Sequence, residues 1–370
     1  MEILVTGAKG FIGKNLVVSL KRRGDVFITE YDLDSPAASL DEGLAKADVI
    51  YHLAGVNRPE LVEEFKTSNF DLTRQICDAL RRLERKPVFV LSSSAQASLD
   101  NPYGLSKQQA EEAVFDFGVE TGASVFVFRL DGVFGKWCRP HYNSVVATFC
   151  HDIARDLPIV ISDPEKEIEL VYIDDVIHAF IGVLDSRLPV SHDKYCLIEP
   201  TRRISLNSLA ETIKSFRNSR FSLALPDISD LFVRALYATY VSCLPTDSFA
   251  YPLIKRSDPR GELAELMKSP RIGQLFLSRT RPGFTRGNHY HETKTEKFVV
   301  MEGDAVIRFR HILGGDVIEY QVSGRDFRVV DIPAGYTHSI ENVGQNDLIV
   351  LFWADEIFNP DTSDAFMLAV

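Results

Sequence analysis

Two groups of residues in this 370-residue chain have types and spacings that could do chemistry. The first lies in GFTRGNHYHETKTEKFVVMEG, Gly283 to Gly303. His289 and His291 are two apart, so on a strand they face the same side. Glu296 follows a short turn and can return to that side, and PAGYTHSIEN adds His338. Three neutral imidazoles and a carboxylate converging inside a barrel suit a divalent first-row metal, without choosing zinc over iron. The second group lies in LSSSAQASLDNPYGLSKQQAEEA. Tyr103 and Lys107 are four apart, so one helical face can carry both. A lysine cation beside a phenol is expected to lower its pKa, so that the tyrosine exchanges a proton with a carbonyl or hydroxyl oxygen. Ser94, at the end of the preceding strand, can hydrogen-bond that same oxygen.

The tyrosine needs a hydride partner, and the N-terminus offers a place for one. EILVTGAKGFIGKNLVVSL joins a short apolar run to Gly7, Gly10 and Gly13, with Phe11 and Ile12 opening a helical pattern. Glycine lets the chain turn tightly and lets a pyrophosphate approach the free N–H groups of a helix N-terminus. HLAG ends a later strand, where Leu53, Ala54 and Gly55 can bring backbone close to a cofactor. An acidic residue ending the second strand accepts from a ribose hydroxyl and repels a 2′-phosphate; Glu30 or Asp32 could fill that place.

These groups imply two kinds of scaffold. DVFITEYD, ADVIYHLAG, KPVFVLSSS and ASVFVFRLDGVFG read as strands, separated by helical stretches such as RPELVEEFKTSNFDLTRQICDALRRLE. Apolar strands alternating with helices predict a doubly wound parallel sheet, with ligands at the carboxyl ends of its strands. A substrate lobe follows, in which Arg139, His141, Asn143 and Arg155 are candidates for pyrophosphate or sugar contacts. RISLNSLAETIKSFRNSR reads as an amphipathic helix, and DLFVRALYATYVSCLP as a connecting helix stopped before Pro245. The boundary is placed near Thr246, giving domains 1–245 and 246–370. Beyond it GQLFLSRT, EKFVVMEGDAVIRFRHI, VIEYQVSG, FRVVDIPAG and DLIVLFWADEIF predict an all-β module of barrel or jelly-roll type.

The formal charge of −11 argues against a nucleic-acid partner. No apolar run approaches a membrane span, and MEILVTG enters a strand without a signal-peptide pattern. Five dispersed cysteines without CxxC read as reduced thiols of a cytoplasmic protein.

On TGAKGFIG, HLAG, SSSA, PYGLSK, LVYIDDVI and RLDGVFG, roughly residues 1–240 resemble the extended short-chain dehydrogenase/reductases. The resemblance implies hydride transfer on a nucleotide sugar, with Tyr103 as acid/base, Lys107 as its helper and ribose ligand, and Ser94 as carbonyl partner. Gly132 stands where family members often carry asparagine. Ala95-Gln96 replaces the Asp-Glu pair of the 4,6-dehydratases, which removes the carboxylates an elimination needs. The second half resembles the cupins: Gly283, His289, His291, Glu296 and Gly303 match one motif, and Pro333, Gly335, His338 and Asn342 match the other, whose leading glycine is displaced. DPRGELAE resembles the DxRG stretch of keto-deoxysugar epimerases of the cupin class.

The two halves in this order, with AGVNRPE and FGKWCRPHYNSVVATFCHDIAR, resemble bifunctional capsular-polysaccharide synthesis enzymes. That family epimerises C3 of a UDP-2-acetamido-2,6-dideoxy-4-keto-hexose and reduces C4, giving a UDP-2-acetamido-2,6-dideoxy-L-talose that leads to N-acetyl-L-fucosamine. The resemblance implies NADPH, zinc in the cupin and a homodimer, while an acidic Glu30 or Asp32 leans towards NADH. Tyr336, Lys297, His311 and Arg286 are candidates for the C3 base. The alternative is a nucleotide-sugar reductase or 4-epimerase whose cupin binds sugar or metal without chemistry.

Overall fold

The computed structural model describes residues 1–187 and 191–370. Contacts divide the chain into two compact units, Met1–Lys214 with Asp230–Pro245, and Ser215–Ser229 with Thr246–Val370.

The first unit is built on strands β1 (Glu2–Thr6), β2 (Phe27–Tyr31), β3 (Val49–His52), β4 (Val88–Ser94) and β5 (Val125–Leu130). They pair in parallel in the order β2-β1-β3-β4-β5. Helices α1 (Phe11–Lys21), α2 (Ala37–Lys46), α3 (Glu63–Phe65), α4 (Leu72–Arg82) and α5 (Pro102–Thr121) intervene. Strand residues alternate between two cores, as a period of two requires. Ile3, Val5, Val49, Tyr51, Val90 and Phe128 enter one; Leu4, Ile50, Phe89, Leu91 and Val127 enter the other. Burial on both faces explains why these strands read as continuous apolar runs.

ASVFVFRLDGVFG, expected as one strand, is two. The chain leaves the main sheet after β5, and β6 (Gly132–Phe134) pairs instead with β7 (Glu167–Tyr172) in a separate small sheet. A Cβ on Gly132 would lie 2.9 Å from the Glu169 carbonyl oxygen, so this crossing leaves room for glycine and little more. The helical stretch 58–84 is also interrupted. It begins at Glu63 and passes through a π-helical turn, Lys66–Asp71, before α4. Helix α6 (Val145–Ile153) is capped by Ser144, and α7 (Ile173–Leu184) follows β7. Short strands β8 (Ser191–His192), β9 (Tyr195–Cys196) and β10 (Thr201–Ser205) precede α8 (Leu206–Ser222), which the division of units cuts between Lys214 and Ser215. The helix expected before Pro245 is α9 (Leu231–Ser242), with Asp230 accepting from the Phe232 N–H at 2.9 Å.

A buried ion pair locks α5 to the sheet. Glu111, 1% exposed, accepts from the Arg129 guanidinium at 3.0 and 2.7 Å and from the Ser93 hydroxyl. Arg129 stacks 3.7 Å above the Tyr195 ring. Removing one partner leaves the other charge uncompensated, so Glu111→Ala is expected to cost about 3–5 kcal/mol. Urea unfolding followed by circular dichroism checks this; an unchanged first transition would show that the pair contributes nothing.

The second unit is built on two β-sheets, and residues 215–222 of α8 belong to it. One sheet runs β11 (Lys255–Asp258), β12 (Gly261–Ser269), β13 (Gly273–Thr280), β20 (Leu348–Ala354), β15 (Glu296–Glu302), β18 (Val329–Ile332). The other runs β17 (Ile318–Ser323), β16 (Asp304–His311), β19 (Tyr336–Asn342), β14 (Thr285–Tyr290), β21 (Phe366–Met367). Phe298, Ile332 and Val350 of the first meet Ile307, Phe309 and Ile340 of the second in one core. EKFVVMEGDAVIRFRHI folds as two strands, β15 in the first sheet and β16 in the second, with the chain turning between them at Gly303, φ +91°.

Candidate active sites: a Ser–Tyr–Lys group and a His3Glu cluster

The glycine turn has the shape the sequence predicts. Gly7 adopts φ +67°, and a Cβ there would lie 2.7 Å from the Ala54 backbone nitrogen. A Cβ on Gly13 would collide with the Gly7 carbonyl oxygen. Close packing of turn, helix and the Leu53–Ala54 strand end therefore requires these glycines. Gly10 caps α1 without a side chain, so the first N–H groups of the helix are left for a ligand.

The two acids at the end of the second strand have different partners. Val5 pairs with Glu30, and Glu30 is bound by Lys21 of α1 at 2.7 Å. Asp32 lies beyond the strand end, and its carboxylate accepts from the backbone N–H of Lys9 in the glycine turn at 2.7 Å. Asp32 is thus the acid tied to the glycine turn. Asp32→Ala is expected to shift the ratio of specificity constants towards the 2′-phosphorylated cofactor by roughly tenfold, about 1.4 kcal/mol. An unchanged ratio would show that the carboxylate does not reach the 2′ position.

A hydrogen-bonded chain holds HLAG in place. The Thr6 hydroxyl contacts His52 Nδ1 at 2.7 Å, and His52 Nε2 contacts Thr73 Oγ1 at 2.9 Å. Burial pushes His52 down to about 3, so the ring is neutral. Asn69 accepts from the Val56 N–H at 2.8 Å and donates to the Val56 carbonyl and the Ser106 hydroxyl. Sequence reading missed Asn69, because a continuous helix gave no reason to look inside residues 58–84. The π-turn is what turns this polar side chain inward.

Asn101 caps α5 by accepting from the Gly104 N–H at 2.8 Å, with Pro102 at the first helical position. That fixes Tyr103 and Lys107 one turn apart. Ser94 accepts from the Gln96 N–H at 3.2 Å, and its hydroxyl lies within hydrogen-bonding reach of the Tyr103 phenol. Lys107 is buried, with its ammonium 3.3 Å from the Ser92 carbonyl oxygen and 3.0 Å from where a Cβ on Gly55 would stand. Burial pulls Lys107 down to about 8, which leaves it mostly protonated at neutral pH. The expected lowering of the phenol is not what the chain alone shows. Burial raises the Tyr103 pKa, and only the Ser94 hydroxyl opposes it. The ring is therefore protonated at neutral pH, the state required of an acid that completes a carbonyl reduction.

Three substrate candidates fare differently. Arg139 lies over the Tyr142 ring at 5.2 Å, and Asn143 is exposed. Arg155 donates to the carbonyls of His151 and Cys243 at 3.1 and 2.9 Å. It ties α6 to the end of α9, a use that competes with the expected sugar-nucleotide contact.

In the β unit the four predicted ligands converge. His289 of β14 and His338 of β19 are cross-strand partners, with ring centroids 4.6 Å apart. His291 stands just past β14, and Glu296 opens β15 in the other sheet. Glu296 lies 3.5 Å from His291 Nε2 and 3.6 Å from His338 Nε2. Burial pulls His289 down to about 4. Burial alone would raise Glu296, but His291, His338 and Lys294 hold it well below the usual carboxylate range. A neutral His289 ring beside an ionised carboxylate suits a divalent ion. His291 Nε2 and both ring nitrogens of His338 are buried without a hydrogen-bond partner. Such orphaned groups are costly, and an ion accepting the lone pairs on the inward nitrogens removes that cost. The residues fit a divalent metal.

The supporting contacts come from far along the chain. The Asp364 carbonyl accepts from His291 Nδ1, which turns Nε2 inward. The Asp364 carboxylate accepts from the N–H groups of Glu292, Thr293 and Lys294 at 2.8–2.9 Å, fixing the turn before Glu296. No spacing signal points to a residue some seventy positions downstream. Of the base candidates, Lys297 follows Glu296 on β15, so it faces away from the cluster, where it pairs with exposed Asp331. His311 packs 4.9 Å from Tyr336 and accepts from the Leu313 N–H. Arg286 donates to Thr280, lies 3.7 Å from Asp258 of the DPRG stretch, and keeps Nη2 buried without a partner.

The NAD dependent epimerase/dehydratase family matches residues 3–195 of this chain. The chain belongs to that family. As a member of the NAD dependent epimerase/dehydratase family it takes a nicotinamide cofactor, for which the Gly7–Gly13 cradle is the fitting place. A polysaccharide biosynthesis C-terminal domain matches residues 256–366. The chain is similar along its whole length to the UDP-2-acetamido-2,6-beta-L-arabino-hexul-4-ose reductase of Pseudomonas aeruginosa, at 46% identity over 370 residues covering 99% of that protein. It is also similar to the crystal structure of the capsular polysaccharide assembling protein CapF from Staphylococcus aureus, at 42% identity and TM-score 0.94, covering 100% of both chains. UDP-glucuronic acid 4-epimerase from Bacillus cereus shares the fold of the first unit, with 18% identity and TM-score 0.54 over 66% of this chain and 99% of that one. Among the described residues no helix is long and apolar enough to cross a membrane.

Proposed function

We propose that this chain is a bifunctional nucleotide-sugar enzyme. Its substrate is a UDP-2-acetamido-2,6-dideoxy-4-keto-hexose, inverted at C3 in the β unit and reduced at C4 in the parallel-sheet unit. The product is a UDP-2-acetamido-2,6-dideoxy-L-talose destined for the N-acetyl-L-fucosamine of a capsule or O-antigen. The observation that carries this reading is the presence, in one chain, of two separate reactive groups. One is Ser94, Tyr103 and Lys107; the other is a buried His3Glu cluster whose inward nitrogens lack protein partners. The end-to-end likeness to a reductase of a UDP-4-keto sugar supports the substrate class.

When bound and reduced, the nicotinamide supplies the hydride for C4. The chain's own residues do the rest. Tyr103 gives its phenolic proton to the C4 oxygen as charge develops there. Ser94 donates a hydrogen bond to the same oxygen and orients it. Lys107 neutralises the tyrosinate that results and would help to hold the nicotinamide ribose. In the β unit the 4-keto group acidifies the C3 proton; a side chain of the barrel removes it, and a proton drawn from solvent is delivered to the other face. His289, His291, Glu296 and His338 would hold a divalent ion, which would supply positive charge to the barrel. Zinc is the proposed ion, since three imidazole nitrogens and a carboxylate would suit it, and it would supply Lewis-acid charge. Tyr336, His311 and Arg286 remain the candidate groups for the C3 proton.

We assign residues 1–245 to the reductase domain and 246–370 to a cupin, acting as a homodimer in the cytoplasm on a UDP-sugar. Asp32 favours NADH in this chain, against the NADPH implied by resemblance. The reading is tested by incubating the protein with the UDP-4-keto sugar and reduced cofactor and determining the product by NMR. The expected result is a C3-inverted, C4-reduced sugar with stoichiometric cofactor oxidation. A product with unchanged C3 configuration would leave reduction standing and remove the epimerase.

A further inference from the structure

A second group of metal-ligating side chains lies outside both sites. His141 Nε2 and His151 Nδ1 approach the same carboxylate oxygen, Asp152 Oδ1, at 3.0 and 2.9 Å. One ligand atom from each of the three residues lies within 4.8 Å of the others. The two imidazole rings stand at 83°, with centroids 5.2 Å apart. Asp152 is buried and His151 half-buried on α6, while His141 reaches them from the loop before that helix. His141 has a left-handed backbone, φ 55°, and its N–H donates to Thr148 Oγ1 at 3.0 Å. Thr148 in turn donates to the Ser144 carbonyl at 2.9 Å. The helix thus holds a non-glycine residue in a conformation it would otherwise avoid, with its ring aimed at Asp152.

We propose that His141, His151 and Asp152 form a second divalent-cation site, separate from the His289–His338 cluster. Ligands about 2.0–2.2 Å from one ion stand roughly 3.0–3.4 Å apart in octahedral or tetrahedral geometry. The two N–O separations here are already at the short end of that range. An ion therefore replaces the protons between the imidazoles and the carboxylate with little movement of the chain. Two imidazoles and one carboxylate select a first-row ion such as zinc, nickel or cobalt over magnesium or calcium. Three protein ligands leave positions open to water, and one ligand is exposed, so this site is weaker than the four-ligand cluster. Its effect on the fold is to staple the loop that carries Arg139 and Asn143 onto α6.

The competing arrangement, two imidazoles hydrogen-bonded to one carboxylate oxygen without an ion, makes an opposite prediction. The test is titration of the full chain with Zn2+ alone by calorimetry, with bound metal counted after equilibrium dialysis. Wild type is expected to bind one equivalent more than His141→Ala, a variant at an exposed loop position. Removal of this direct ligand should weaken that equivalent by at least the roughly 10–100-fold that loss of a supporting contact costs. Asp152→Asn is expected to lose the same equivalent, and His338→Ala to retain it. The difference between wild type and His141→Ala does not depend on whether the barrel cluster binds metal. Equal stoichiometry and affinity in wild type, His141→Ala and Asp152→Asn would overturn the proposal.

Discussion

Tyr103→Phe is expected to lower reduction at C4 by about two orders of magnitude or more while leaving proton exchange at C3 untouched. The substitution keeps the ring, its packing 5.6 Å from Phe65 and the helix that carries it. It removes only the phenolic hydroxyl, and with it the proton and the contact to Ser94. Burial keeps that phenol protonated in the chain alone, so the variant loses the proton donor. Lys107 cannot replace it, because its ammonium is directed at the Ser92 carbonyl and the Gly55 turn. Cofactor binding should survive, since the glycine cradle is unchanged. Single-turnover measurement of cofactor oxidation checks this, and near-normal reduction would remove Tyr103 from the mechanism.

Much of this site was legible in the sequence because its signals are local. A strand, a tight glycine turn and a helix are consecutive, and so are the cap, tyrosine and lysine of α5. The convergence of His289, His291, Glu296 and His338 in the β unit was legible because HxH and the second motif fix side-chain direction by strand period. What escaped depends on tertiary context. Asn69 is turned inward by a π-turn that propensity does not encode. Asp364 supports His291 from the far end of the chain. The phenol's raised pKa follows from burial, which spacing does not report. The strand pair β5 and β6 read as one run because both are apolar; the switch of sheets becomes visible only through the space that Gly132 leaves against β7. Lys297 looked available until β15 placed it on the face opposite Glu296.

His338→Ala is expected to strip the metal from the β unit, reducing affinity by more than the roughly 100-fold that loss of a supporting contact costs. His338 is buried at 1% exposure, pairs across the strands with His289 and packs against Phe298 and Phe309. Its loss therefore opens a cavity as well as removing a ligand, and the β unit should melt earlier. The conservative variant His338→Gln fills most of that space, so it separates packing from ligation. Both variants should lose C3 exchange, whereas cofactor binding in the first unit should remain at the wild-type level. Metal analysis after dialysis reads the first effect. Full occupancy in both variants would show that the cluster is not the site. Lost metal with undiminished exchange would make the ion structural and leave the C3 chemistry to Tyr336, His311 or Arg286.

The division of labour between the two reactive groups is tested most directly by isotope. The wild-type protein is incubated in D2O with the UDP-4-keto sugar and protiated reduced cofactor, and the product is read by NMR. The account predicts deuterium at C3 from solvent and protium at C4 from the cofactor. Tyr103→Phe should give the C3 label without reduction, and His338→Gln should yield no C3 label. A reduced wild-type product that retains protium and its original configuration at C3 would contradict the account.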